Sequence, residues 1–269
     1  MKRFVLCLPV VLLFSGCAQV FQGNAFQSID QPPALSASAL AAESDSTIVT
    51  QITSDSSFVT SLKSNPAALA AVQGVLLAAS QPTSSASAAT KITDAQAYIT
   101  ATTGATAAGA VVQTAMSQVQ NLANASSGTA GSTAASALTS IFAGQTITQI
   151  QATLNQFVNM AGALTNMQAA SAQGGTVDST AFFGNTPSKL NLGMTAALAA
   201  TVNAFASDLG GGTAADGVAT LATYLQNGTT LPTNGAAVGN LTTALTTSNT
   251  PTSNPYAYLS AVTGLVKTS

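Results

Sequence analysis

The sequence predicts an all-α fold, an elongated multi-helix bundle in which a long antiparallel helical hairpin is followed by shorter helices. Three observations predict it. Apolar residues recur at mixed three- and four-residue spacings over long stretches of the 269 residues, which lines them along one face of a helix. The period-two alternation of half-buried strands is absent. Aromatic residues make up only 5% of the chain and tryptophan is missing, so the bulky residues that favour sheets are scarce. A β-solenoid is the competing architecture for so Thr-rich a chain, but no fixed short repeat supports it.

Residues 17–45 read as a tether, in which Gln31-Pro32-Pro33 breaks regular structure and 34–42 suits a short helix begun by the prolines. Ile48, Val49, Ile52, Phe58, Val59 and Leu62 then predict a helix over 45–64 with Asp45 or Ser46 as its cap. Asn65-Pro66 restarts the chain, and Leu69, Val72, Leu76 and Ala79 give the next helix one apolar stripe that ends before Pro82. Over 85–124, Ile92, Ala95, Tyr98, Ile99, Thr102, Val111, Val112, Ala115, Met116, Val119 and Leu122 share a helical face. Gly104 and Gly109 each cost about 1 kcal/mol in a helix relative to alanine, so one kinked helix and two separate ones are both open.

The clearest periodicity follows a Ser/Gly loop at 126–131. Leu138, Ile141, Ile147, Ile150, Leu154, Phe157, Ala161, Leu164 and Gln168 predict one helix over 132–172, roughly 60 Å long, with a coiled-coil-like seam from Ile147 onward. It is expected to pack antiparallel on the helix before it. Gly174-Gly175 ends it, and shorter helices follow: one through Leu190, Met194, Leu198, Val202, Phe205 and Leu209, a second from about Ala214, a third from about Asn234 and a last one after Pro255. The expected organisation is therefore residues 1–16 as an export signal, 17–45 as the tether, 46–173 as a long-helix domain and 174–269 as shorter helices on the same body.

The opening residues carry the one chemical signature. Met1-Lys2-Arg3 precedes an apolar run from Phe4 to Phe14, and Ser15-Gly16-Cys17 follows. As a helix that run rises roughly 16 Å, about half of a hydrocarbon core, so a cleaved export signal fits better than a span. The segment resembles a bacterial lipoprotein signal peptide with its lipobox, here Phe14-Ser15-Gly16-Cys17, with phenylalanine where leucine is commoner. The resemblance covers residues 1–17. It implies a diacylglyceryl thioether on Cys17, cleavage before it and acylation of the new amino group. In the Gram-negative class, Ala18 in place of aspartate implies sorting to the outer membrane, facing the periplasm or the cell surface. An ordinary cleaved signal with an incidental cysteine is the competing reading.

Removing Lys2 and Arg3 leaves four lysines (Lys63, Lys91, Lys189, Lys267) against eight acidic residues, a net charge of −4. Four scattered lysines under a negative net charge argue against nucleic acid as a partner and make an anionic lipid surface a poor one. Solubility must come from hydroxyl and amide side chains, because charged residues are only 5% of the chain. With no histidine, nothing titrates ordinarily between pH 5 and 8 apart from a free amino terminus, so stability is expected to be nearly flat across that range.

The catalytic inventory is correspondingly thin. Without histidine or a free thiol there is no Ser-His-Asp triad and no His/Cys metal site, and Glu43 is the sole glutamate. No serine stands three residues before a lysine, and no phosphate-binding glycine motif occurs. No catalytic residue, metal or cofactor is therefore expected. Gly210-Gly211-Gly212 reads as a helix stop. Asp208 and Asp216 read as helix-end charges rather than calcium ligands, and Glu43, Asp45 and Asp55 as helix-start charges. Tyr256 and Tyr258 suit packing of the last helix. Phe182 and Phe183 are the candidate interaction loop, with covering the end of the core as the alternative.

These observations lead to a non-enzymatic outer-membrane lipoprotein, anchored through Cys17 and serving as a helical scaffold or accessory subunit of a cell-envelope assembly with a protein partner. The alternative is a carrier of lipid or another apolar ligand, which requires a closed apolar cavity. A third reading, an enzyme built on Asp and Tyr, requires buried, paired carboxylates in a cleft.

Overall fold

Helix starts in this chain are set by small polar side chains that satisfy the first free backbone N–H groups. The computed structural model describes residues 35–123, 139–177 and 187–227. Ser44 accepts from the Thr47 N–H at 3.2 Å to open α2 (Asp45–Ser54), after the short α1 (Ala37–Ala41). Asp55 caps α3 (Ser56–Lys63) and Asn65 caps α4 (Pro66–Ser80), whose first turn tolerates proline because that N–H has no helical partner. Ser87 opens α5 (Ala88–Ala105). After α6 (Ala107–Ala123), Thr146 and Gln149 form a reciprocal capping box at the head of α7 (Ile147–Ala172). Helices α8 (Pro187–Leu209) and α9 (Ala214–Asn227) complete the described chain. The fold is all-α, with no strand among the described residues.

Three expected helices are shorter than their apolar periodicity. The 45–64 helix is cut at Asp55, whose extended backbone and carboxylate start a second helix instead of continuing the first. The 85–124 segment divides at Thr106, between the two glycines and at neither. The Thr106 hydroxyl donates to the Thr102 carbonyl at 2.6 Å and accepts from the Ala108 N–H, closing one helix and opening the next. Gly104 and Gly109 instead permit contact. A Cβ at Gly104 would collide with Val59 of α3, and one at Gly109 with the Thr103 carbonyl.

The expected 132–172 helix is likewise corrected to one of 26 residues, about 39 Å long. A turn through Phe142 and Gly144, the latter at φ +78°, interrupts the pattern before the capping box restarts it, and Ile141 and Phe142 turn into the core.

Helix α5 is the centre of the body. It is flanked by α4 and α7, with α2, α3 and α6 closing further sides. Helices α5 and α7 run antiparallel, since Lys91 approaches Gln173 while Thr103 approaches Met160. The hairpin is thus formed by α5 with α7, whereas α6 packs on both α5 and α8. Helix α7 buries Ile150, Leu154, Phe157, Ala161 and Leu164 of the expected seam, and adds Met160, Ala163 and Met167 because it is covered on two sides.

Upstream, Leu40 of α1 is buried where α1 packs on α4, so folded structure begins inside the segment read as tether. At the other end Gly211 and Gly212 take positive φ, and the Gly212 N–H reaches back to the Ser207 carbonyl at 2.7 Å, ending α8 as the glycine triplet predicts. Gly217 then lies so close to the Ala206 carbonyl that no Cβ fits between α8 and α9. No described helix is long and apolar enough to cross a membrane.

Candidate functional site

An amphipathic helix normally turns its polar residues to water, but α5 is packed on most sides and has too few exposed positions to hold all of its own. Lys91, Asp94, Tyr98 and Thr102 follow one another at spacings of three, four and four, so they form a single line along the helix, and all four are buried. This buried polar line is the candidate site. The Lys91 ammonium, 4% exposed, donates to the Pro82 carbonyl at 3.0 Å and reaches Gln173 Oε1 at 3.4 Å. It thereby ties the 81–87 connection and the end of α7 to the start of α5. Thr102 accepts from Gln73 Nε2 of α4 at 2.9 Å. The Tyr98 phenol is raised above its ordinary pKa by burial, partly offset by its hydrogen bond with Thr102.

Asp94 is the unusual member. It is 1% exposed, its Oδ2 has no hydrogen-bond partner, and its carboxyl faces that of Asp45 in the first turn of α2. Burial, reinforced by the neighbouring Asp45 charge and by the hydrogen bond between the two carboxyls, pushes the Asp94 pKa up to about 7. Below that pH, Asp94 is a neutral acid donating its proton to Asp45.

The expectation of pH-independent stability is therefore corrected. A carboxyl whose folded-state pKa lies above its ordinary value near 3.8 stabilises the fold fully below that value, and the stabilisation is lost as pH rises towards 7. Asp94 thus favours the fold in mild acid, whereas Asp55, whose pKa is lowered, contributes stability that is lost as pH falls below the ordinary carboxylate range.

Asp55 behaves as read from the sequence. Its carboxylate accepts from the Ser57 hydroxyl and N–H, which lower its pKa. Glu43 is exposed, as are Asp208 beside the glycine turn and Asp216 in the first turn of α9. Among the described residues no three His, Cys, Asp or Glu side chains gather as a metal site. Cys17, Phe182, Phe183, Tyr256 and Tyr258 lie outside the described residues, as does the helix expected from about Asn234.

Sequence reasoning counted Lys91 only as a charge and passed over Asp94. The signal was present, because Asp94 precedes Tyr98 by four residues and Thr102 by eight, both of which the periodicity had placed inside.

Open grooves lie among the described residues. One, of about 420 Å³, runs between the end of α4 and α7, beside Leu77, Gln81, Pro82, Asn159 and Asn166. Another, of about 670 Å³, lies over the α5–α6 joint, beside Lys63, Thr103 and Gln113. Both are lined by more apolar than polar surface, with amides, hydroxyls and backbone interspersed, and neither includes Asp45 or Asp94. Neither of these grooves opens onto the carboxyl pair, which holds a proton between two helices. No family model, curated protein or solved structure matches the chain.

Proposed function

We propose that the chain is a non-enzymatic outer-membrane lipoprotein, held at the membrane through Cys17, whose helical body is a scaffold or accessory subunit of a cell-envelope assembly. The observation that carries this reading is the Met1-to-Cys17 segment, with its two cations, its apolar run too short to span and its small residues before cysteine. Multiple acyl chains on one cysteine give stable anchoring, because each buried methylene contributes about 0.8 kcal/mol and a single chain is marginal.

The body supports the scaffold part of the reading. Its few ionisable groups cap helices or fasten them to one another, and its surface is mostly hydroxyl and amide. The two grooves are open to solvent rather than closed, which favours a protein surface over an enclosed apolar ligand.

The deciding experiment compares wild type with Cys17→Ser by intact mass and membrane fractionation. Wild type is expected in the membrane fraction with the added mass of its acyl chains, and the variant unprocessed or soluble. Identical mass and fractionation for the two proteins overturn the anchor. Detergent extraction followed by pull-down then tests the body: a stoichiometric envelope protein supports the scaffold, and a monomer with extractable lipid replaces it with the carrier.

A further inference from the structure

Helix α2 is ten residues long and turns only Ile48 and Ile52 fully into the core, whereas α7 buries ten side chains. A helix this short does not persist without tertiary contact. Its contact with α5 includes the meeting of Asp45, half-buried in the first turn of α2, with Asp94, buried within α5. The position of Asp45 suits a negative charge, since the N-terminal end of a helix dipole is positive. That of Asp94 does not, as it is dry, lies mid-helix and leaves Oδ2 unpaired. Helices α2 and α5 each carry one more buried polar atom without a partner, Gln51 Oε1 and Gln96 Nε2.

Among the described side chains no cation answers Asp94. On α5 itself Lys91 is turned to Pro82 and Gln173, and Tyr98 is a neutral phenol. Helices α4, α6 and α7 contain no ionisable side chain. Lys63 of α3 lies by Gly104 and Ala105 at the far end of α5. On α8 the ionisable groups are Lys189 and the exposed Asp208.

We propose that Asp45 and Asp94 form a proton-dependent latch, which fastens α2 to the central helix in mildly acidic surroundings and slackens as they turn neutral. With the proton present, the Asp94 O–H donates to the Asp45 carboxylate and the pair carries one negative charge. Without it, two carboxylates face each other and one is dry, so the arrangement that lets Asp94 reach water becomes favoured. That arrangement separates the first turn of α2 from α5. Neither α4 nor α7 carries a carboxyl against α5, so their contacts do not loosen with the pair.

Amide hydrogen exchange of the full chain from pH 4.5 to 7.5, corrected for intrinsic rates, tests the latch. Protection in 45–54 should be lower than in 147–172 at every pH, and should fall about 10- to 100-fold across the range before levelling off. Asp94→Asn keeps a donor facing Asp45 and should remove the fall. Asp45→Asn, which withdraws the opposing charge, should shrink it and serves if the first variant does not fold. Constant protection in wild type, an undiminished fall in the variants, or exchange of 45–54 in step with 147–172 overturns the proposal.

Discussion

Helices α2 and α7 both pack on α5, and they are held there in opposite ways. Helix α7 is 26 residues long, contains no ionisable side chain and buries Phe157, Leu154, Met160 and Met167 completely. Helix α2 offers two buried isoleucines and a carboxyl pair. Each fully buried aliphatic or aromatic side chain contributes about 1.5–3 kcal/mol, so α7 is secured by apolar area many times over. On α2 a single polar contact is comparable with the whole apolar term. The difference teaches that a buried charge matters most where little else holds the element, and that the same Asp94 pair placed against α7 would be lost in the background.

The largest expected effect tests the apolar side of this contrast. Phe157→Ala removes a fully buried ring from α7 and should cost about 3–5 kcal/mol in urea unfolding, with little dependence on pH. A cost below about 1 kcal/mol would mean that α7 is not the stabilising partner of α5.

Next comes the polar side. Asp94→Asn should stabilise the protein by about 2 kcal/mol at pH 8 and change little at pH 4. This is about half of what the full displacement of the pKa converts to, because water reaches the Asp45 side of the pair. Equal unfolding free energies for variant and wild type at both pH values would break the comparison.

A smaller effect separates local from tertiary control of α7. Thr146→Ala opens the capping box and should cost about 1 kcal/mol, detectable as a lower urea midpoint with an unchanged slope. The smallest change is favourable. A Cβ at Gly74, on the exposed face of α4, meets no atom within 4 Å, so Gly74→Ala should raise stability by about 0.5–1 kcal/mol in the same assay.

Much of the fold was legible because the apolar residues carry it. The seam from Ile150 to Leu164, the Asn65-Pro66 start of α4 and the glycine stop after α8 all stand as periodicity and end signals predict. Helix lengths were less legible. Apolar spacing runs through Asp55, Thr106 and the Phe142-to-Gly144 turn without a break, and there a local hydrogen bond or a positive φ outweighs the pattern. The buried polar line was legible as a position and illegible as a charge state. Asp94 could be placed on the inner face from Tyr98 and Thr102, but Asp45 lies 49 residues earlier on a different helix.

The sequence by itself determined the helical class, the starts of α4 and α9, the scarcity of catalytic groups and the expectation of a lipid-bearing Cys17. Each of these follows from residue identities within a few turns of chain. Only the tertiary structure decided that α5 would be enclosed, that α7 and not α6 would pair along it, and that Asp94 would meet Asp45 away from water. Solvation and Coulomb interaction depend on distance through space, so a carboxyl that composition counts as one more surface charge becomes a proton-holding group once six helices pack around it.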